Sequence, residues 1–111
     1  MLIQKRTIDA NDIVTMKITT GEEIIAKVKE VDDTTVTVYK PFTLILTAGH
    51  GGQGSVAFAP FMLGADDQAA ITLDRKNIVL MVKANSSAAG QYIKATTGLE
   101  TATNTDNIIK F

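Results

Sequence analysis

Apolar and polar residues alternate along the first third of the chain. In "IVTMKIT", Val14, Met16 and Ile18 share one face, with Thr15, Lys17 and Thr19 on the other. This period of two predicts a half-buried strand. "TTGEE" follows as a turn, with Gly21 where the backbone needs a positive φ. "EIIAKVKEV" alternates again, Ile24, Ala26 and Val28 against Ile25, Lys27 and Lys29, and predicts the paired second strand. "DDTT" is a turn closed by Asp side chains, and "VTVYKPFTLILT" is rich in strand formers. Pro41 within it forces a bend, a bulge or an edge position.

Farther on, "SVAFAPFMLGA" reads as a strand interrupted by Pro60, and "AAITLDRKNIVLMVKA" as two short strands around a "DRKN" turn. Ile78 to Val82 is apolar without alternation, the pattern of a strand buried on both faces. After Ala84 the character changes. Asn85, Ser86 and Ser87 are capping residues, and Ala89, Tyr92, Ile93 and Thr96 fall on one helical face before Gly98 stops the helix. The expected organisation is a single domain over 1–111, with a β barrel at 12–83, a helix at 85–98, a polar flexible tail at 99–107 and a closing apolar "IIKF". The lead "LIQKR" fits a helical turn or a strand equally.

Composition narrows the chemistry. A formal net charge of −1 and a pI of about 5.7 argue against a generic basic nucleic-acid binder, though not against a local basic patch. The absence of cysteine removes disulfides, thiolate metal sites and cysteine nucleophiles, and suits a reducing cytoplasm. The start turns polar too soon for a signal peptide, and no apolar run approaches the ~20 residues of a membrane-spanning helix.

"AGHGGQGS" places Gly49, Gly51 and Gly54 at a G-x-G-x-x-G spacing and holds the sole histidine, His50. A dinucleotide fingerprint needs a helix after the glycines, whereas "SVAFAPFML" is strand-like; a P-loop needs a Lys that is missing. The segment reads as a hairpin loop. His50 has no cysteine or second histidine to join as a ligand, and the Asp pairs at 32–33 and 66–67 read as turn chemistry. No nucleophile–base set assembles, so the expectation is a non-enzyme without cofactor or metal.

The strands and turns suggest a small five-stranded, bent, open β barrel with a short C-terminal helix. "IVTMKITTGEEIIAKVKEVDDTTVTV" resembles the first motif of the Sm-like family, with Gly21 at its first glycine and Asp32 at its acidic residue. "LDRKNIVLMV" resembles the second motif, above all at Asn77-Ile78-Val79-Leu80. Together they cover residues 12–83. The added C-terminal helix and the "APFML" strand are similar to divergent Sm-like proteins of marine phage (cyanophage) origin, which would place the chain in a host cell's cytoplasm. Four positions depart from the motifs: Ala26 stands at a second glycine, Val36 at a base-binding Asn, and Asp74-Arg75 at an Arg-Gly pair.

The resemblance implies a homo-oligomeric ring of five to seven subunits. Residues Ile78, Val79, Leu80, Met81 and Val82 carry no charge to defend a free strand edge, and would form the subunit interface by head-to-tail pairing. The same run also suits the central strand of a monomer. At the turn that lines the pore in the family, Arg75, Lys76 and Asn77 would contact single-stranded RNA, with Lys27 and Lys29 adding charge to one face. The same turn also reads as an ordinary solvated hairpin. The departures imply weak, salt-sensitive, poorly sequence-specific binding. A second reading is a protein-interaction or assembly scaffold without nucleic acid, using the helix or the "NIIKF" tail to reach a partner.

Overall fold

The structure, a computed structural model, describes residues 7–48 and 54–97. The expected tail and "IIKF" segment, Gly98, His50 and the first two loop glycines lie outside the described residues. Among the described residues six antiparallel strands and one α-helix follow in order: β1 (Ile13–Ile18), β2 (Glu23–Val31), β3 (Thr35–Ala48), β4 (Gly54–Pro60), β5 (Ala70–Asp74), β6 (Ile78–Lys83) and α1 (Ser86–Thr97). The chain is mainly β with a short C-terminal helix, as expected, but six strands replace five. Pro60 ends β4, and residues 61–69 separate it from β5.

The alternation of β1 and β2 becomes the core. Val14 faces Ala26 and Met16 faces Ile24 across the β1–β2 ladder, and Met16 meets Met81 on its other side. Val14, Met16, Ile18, Ile24, Ala26, Val28, Val36 and Val38 form the buried cluster. The turn between β1 and β2 places Gly21 at φ +103, and its N–H donates to the Ile18 carbonyl at 2.8 Å. Between β2 and β3, Asp32 accepts from the backbone N–H groups of Thr34 and Thr35, both at 2.9 Å. These bonds hold its carboxyl below the usual range.

Strand β3 organises the sheet. It pairs with β2 on one side and changes partner on the other: Thr35–Tyr39 pair with β5, Phe42–Ala48 with β4. The change falls at Lys40–Pro41. There the β2–β3 register slips, because Lys40 and Pro41 together oppose Ala26. Lys40 takes φ +48, uncommon for a residue with a side chain. Pro41 thus marks a bulge, one of the outcomes its position allowed.

The hydrogen-bonded order is β4-β3-β2-β1-β6, with β5 also on β3, and the sheet is not closed. It is nevertheless rolled. Laid flat, β5 and β6 would stand four strand spacings apart, roughly 19 Å. Only the 3-10 turn Arg75–Asn77 joins them. Even fully extended, four steps of chain reach only about 14 Å. The turn is tied to both neighbouring loops: Arg75 N–H donates to the Thr34 carbonyl, and Thr19 N–H donates to the Asn77 carbonyl, both at 2.9 Å.

Helix α1 begins at a real cap, since Asn85 Oδ1 accepts from Ala88 N–H at 2.8 Å. It docks through Tyr92, which is buried and meets Phe42 edge-on at 6.0 Å. Phe42 faces Ile25 across the β2–β3 ladder, and Ile25 alternates away from the main cluster yet is fully buried. A second, smaller apolar group therefore sits on the sheet's opposite face. The expected helical stripe is corrected at one position: Ile93 is 49% exposed, because the docked face centres on Tyr92.

Candidate strand-edge interface and rim turn

Among the described residues three strands have one side unpaired: β6 pairs with β1 alone, and β4 and β5 each with β3 alone. The reading of Ile78–Val82 as a strand buried on both faces, or as a monomer's central strand, is thereby overturned. Ile78 and Met81 turn toward the core and are partly buried, while Val79, Leu80 and Val82 are exposed. The missing alternation has a local cause. Lys17 pairs with Leu80 and Ile18 with Ile78, so Val79 is an extra residue in a bulge.

The opposite edge has matching character. β4, "GSVAFAP", has no charged residue, and Val56 is exposed opposite Leu46, itself exposed on β3. Pro60, which lacks an N–H, is the last residue of β4, so it leaves the preceding donors free. Sequence reasoning gave the apolar edge role to β6 alone. The uncharged run of β4 was visible, but its edge position follows only from the order of strands.

The three rim residues share the turn between β5 and β6. Asp74 opens it, accepting from Lys76 N–H at 3.1 Å. The Arg75 guanidinium reaches back to donate to the Asp32 carbonyl at 2.9 Å. Lys76 Nζ lies 3.9 Å from the Asp74 carboxylate in an exposed pair. Asn77 contributes its carbonyl to the Thr19 N–H, as above. Arg75 and Lys76 thus share the turn with the Asp74 carboxylate, and Arg75 is held to the main chain of Asp32 in the adjoining turn, so these acidic residues offset part of the positive charge. Lys27 and Lys29 are exposed on β2, alternate to its core-facing residues.

Beside the turn lies a groove of about 410 Å³, lined by Ile8, Val31, Val36, Ile78 and Met81 with Arg75 at its margin. It is the mouth of the rolled sheet. Among the described residues no three His, Cys, Asp or Glu side chains are grouped to hold a metal ion, and no helix is long and apolar enough to cross a membrane. The sequence matches no protein-family model and no curated protein.

Proposed function

We propose that the chain is a ring-forming, Sm-like assembly protein, in which β6 of one copy pairs with β4 of the next. The observation that carries this reading is the apolar character of two of the three free edges among the described residues, β4 and β6. β4 is uncharged throughout, and β6 carries charge only at its last residue, Lys83. Both display apolar side chains. Soluble sheets ordinarily blunt such edges with charge, cover or closure. An edge-to-edge contact between different strands is heterologous, and it closes a ring when the rotation per copy allows.

Assembly would also give the rim turn its role. A single turn has its positive charge partly offset, but a ring sets five to seven copies of Arg75, Lys76 and Asn77 around one opening. Single-stranded RNA is the ligand that suits such a rim, held by its phosphates and without a base pocket. The neighbouring Asp32 and Asp74 limit the field, so binding is weak and falls steeply with salt. The scaffold reading without nucleic acid is favoured by those same carboxylates.

Light scattering behind a sizing column tests the assembly: a single species of five to seven subunits is expected, and a monomer overturns the reading. Titration of labelled single-stranded RNA at two salt concentrations separates the two roles. Binding that weakens at high salt and is lost in Arg75→Ala/Lys76→Ala supports the rim. An intact ring with no binding at low salt leaves the scaffold.

A further inference from the structure

Lys40 is a lysine at φ +48 inside a strand, immediately before a proline. Residues with side chains occupy that region at a cost, and hold it where surrounding contacts impose it. Those contacts come from helix α1. The Tyr92 hydroxyl donates its proton to the carbonyls of Tyr39 and Lys40, at 2.9 and 3.0 Å. The Lys40 ammonium donates to the carbonyl of Thr96, at 3.3 Å in the last turn of α1, where the helix presents unpaired carbonyls. Asp67, from the connection between β4 and β5, lies 3.8 Å from the same ammonium.

The place being held is where β3 exchanges β5 for β4. On the β4 side, Phe61 N–H donates to the Pro41 carbonyl at 2.9 Å. β2 runs past both halves of β3, pairing with Phe42 and Thr43 as well as with Val38 and Tyr39, and at the junction α1 grips Tyr39 and Lys40.

We propose that α1 is a clasp: Tyr92 fixes the Lys40–Pro41 bulge and with it the angle at which the β3–β4 hairpin, and so the free edge of β4, leaves the body of the sheet. The bend at the bulge follows from contacts within one chain. Its consequence for assembly rests on the ring reading, since β4 is one of the two edges that would meet.

The test compares the full chain with Tyr92→Phe, which keeps the ring against Phe42 and removes only the hydroxyl. Amide hydrogen exchange is followed along the sheet, and native mass is measured on the same samples. In Tyr92→Phe, amides of β4 and of β3 beyond Phe42 should exchange roughly tenfold to a hundredfold faster, the loss expected when these part-buried carbonyls lose their donor. Those of β1 and the start of β2 should hold their wild-type rates. Lys40→Met, which removes only the contacts to Thr96 and Asp67, should produce a smaller change at the same amides. It serves as the test should Tyr92→Phe not fold.

Acceleration spread evenly over all strands, or none in β4, overturns the clasp. If the wild-type chain is a monomer, the ring reading fails, yet the exchange pattern still decides the clasp. If the wild-type chain is a ring, Tyr92→Phe should shift it toward smaller species at low protein concentration. An unchanged mass across the dilution series overturns the link between clasp and assembly.

Discussion

Leu80 sits in the middle of β6, 54% exposed, with its neighbours Val79 and Val82 at 62% and 53%. Across the proposed contact, Val56 on β4 is 50% exposed. Fully burying such a side chain is worth roughly 1.5–3 kcal/mol, so covering the exposed parts of these four returns roughly 3–7 kcal/mol per contact. That is comparable with the roughly 4–15 kcal/mol lost on association, and ladder hydrogen bonds add about 1 kcal/mol each. One contact is therefore finely balanced. Leu80→Glu removes an apolar group and places an unpaired carboxylate in the seam, a loss of at least about 3 kcal/mol, or more than a hundredfold in pairwise affinity. The isolated chain has little to lose, because the side chain is already half in water. By light scattering, Leu80→Glu should run as a monomer with a wild-type circular dichroism spectrum. Leu63→Glu, at a more exposed apolar residue outside the strands, should retain the wild-type mass. An oligomer that survives Leu80→Glu, or dissociates equally with Leu63→Glu, would refute the edge-pairing argument.

Gly21→Ala should lower stability by roughly 1–2 kcal/mol in thermal unfolding, through backbone strain alone, since φ is +103 and nothing lies within 4 Å of an added Cβ. Asp32 is held below its unfolded value of 3.8 by the N–H groups of Thr34 and Thr35. Its contribution is present above that value and lost as pH falls through the lower folded one. The melting-temperature gap between wild type and Asp32→Ala should therefore narrow in acid; a gap that widens there contradicts the assignment. Burial pushes the Tyr92 hydroxyl up from 10.0 to about 12. Its contribution is complete below pH 10 and declines toward pH 12, on the order of 1–2 kcal/mol in total after solvent screening. In denaturant titrations at rising pH, Tyr92→Phe should lack that share of the alkaline loss.

The strands that period two marked are the ones whose two faces differ. β1 buries Val14 and Met16 and exposes Lys17, so burial and sequence carry the same signal; β2 buries Ile24 and Ala26 and exposes Lys27 in the same way, but it also buries Ile25 on the other face, beside Phe42. β6 was misjudged because its bulge at Val79 breaks the alternation. An edge strand with one extra residue and a buried strand then look alike in sequence. The helix was legible from its cap, Asn85, but its exact rotation was not. Tyr92 and Ile93 are adjacent, and only the position of Phe42 on β3 decides which of them is buried. Pro41 announced an irregularity in β3. That the irregularity is where β3 changes partner depends on contacts to residues near 60 and 70, and on a tyrosine hydroxyl more than fifty positions away. The rim turn shows the same limit. Arg75-Lys76 stands out as a basic pair in one dimension, whereas Asp32, brought beside it by the roll of the sheet, belongs to a different turn.

The two devices that would protect the edges are both placed where they protect little. The bulge at Val79 lies near the start of β6 and leaves Leu80 to Val82 regular; Pro60 lies at the end of β4 and leaves the residues before it able to donate. What remains is a short, apolar, uncharged ladder at each end of the sheet. A head-to-tail contact of that kind has two outcomes, a closed ring or an open filament, and the rotation per copy selects between them. Within one chain that rotation depends on how β4 is angled against β6, and the bend in β3 at Lys40–Pro41 contributes to that angle. A loosened bend should therefore broaden the distribution of assembled sizes as well as weaken the contact. A single sharp mass for wild type and a spread of masses for Tyr92→Phe at high concentration is the signature expected of a bend that selects closure. Equally sharp masses for both would assign the angle to the contact itself.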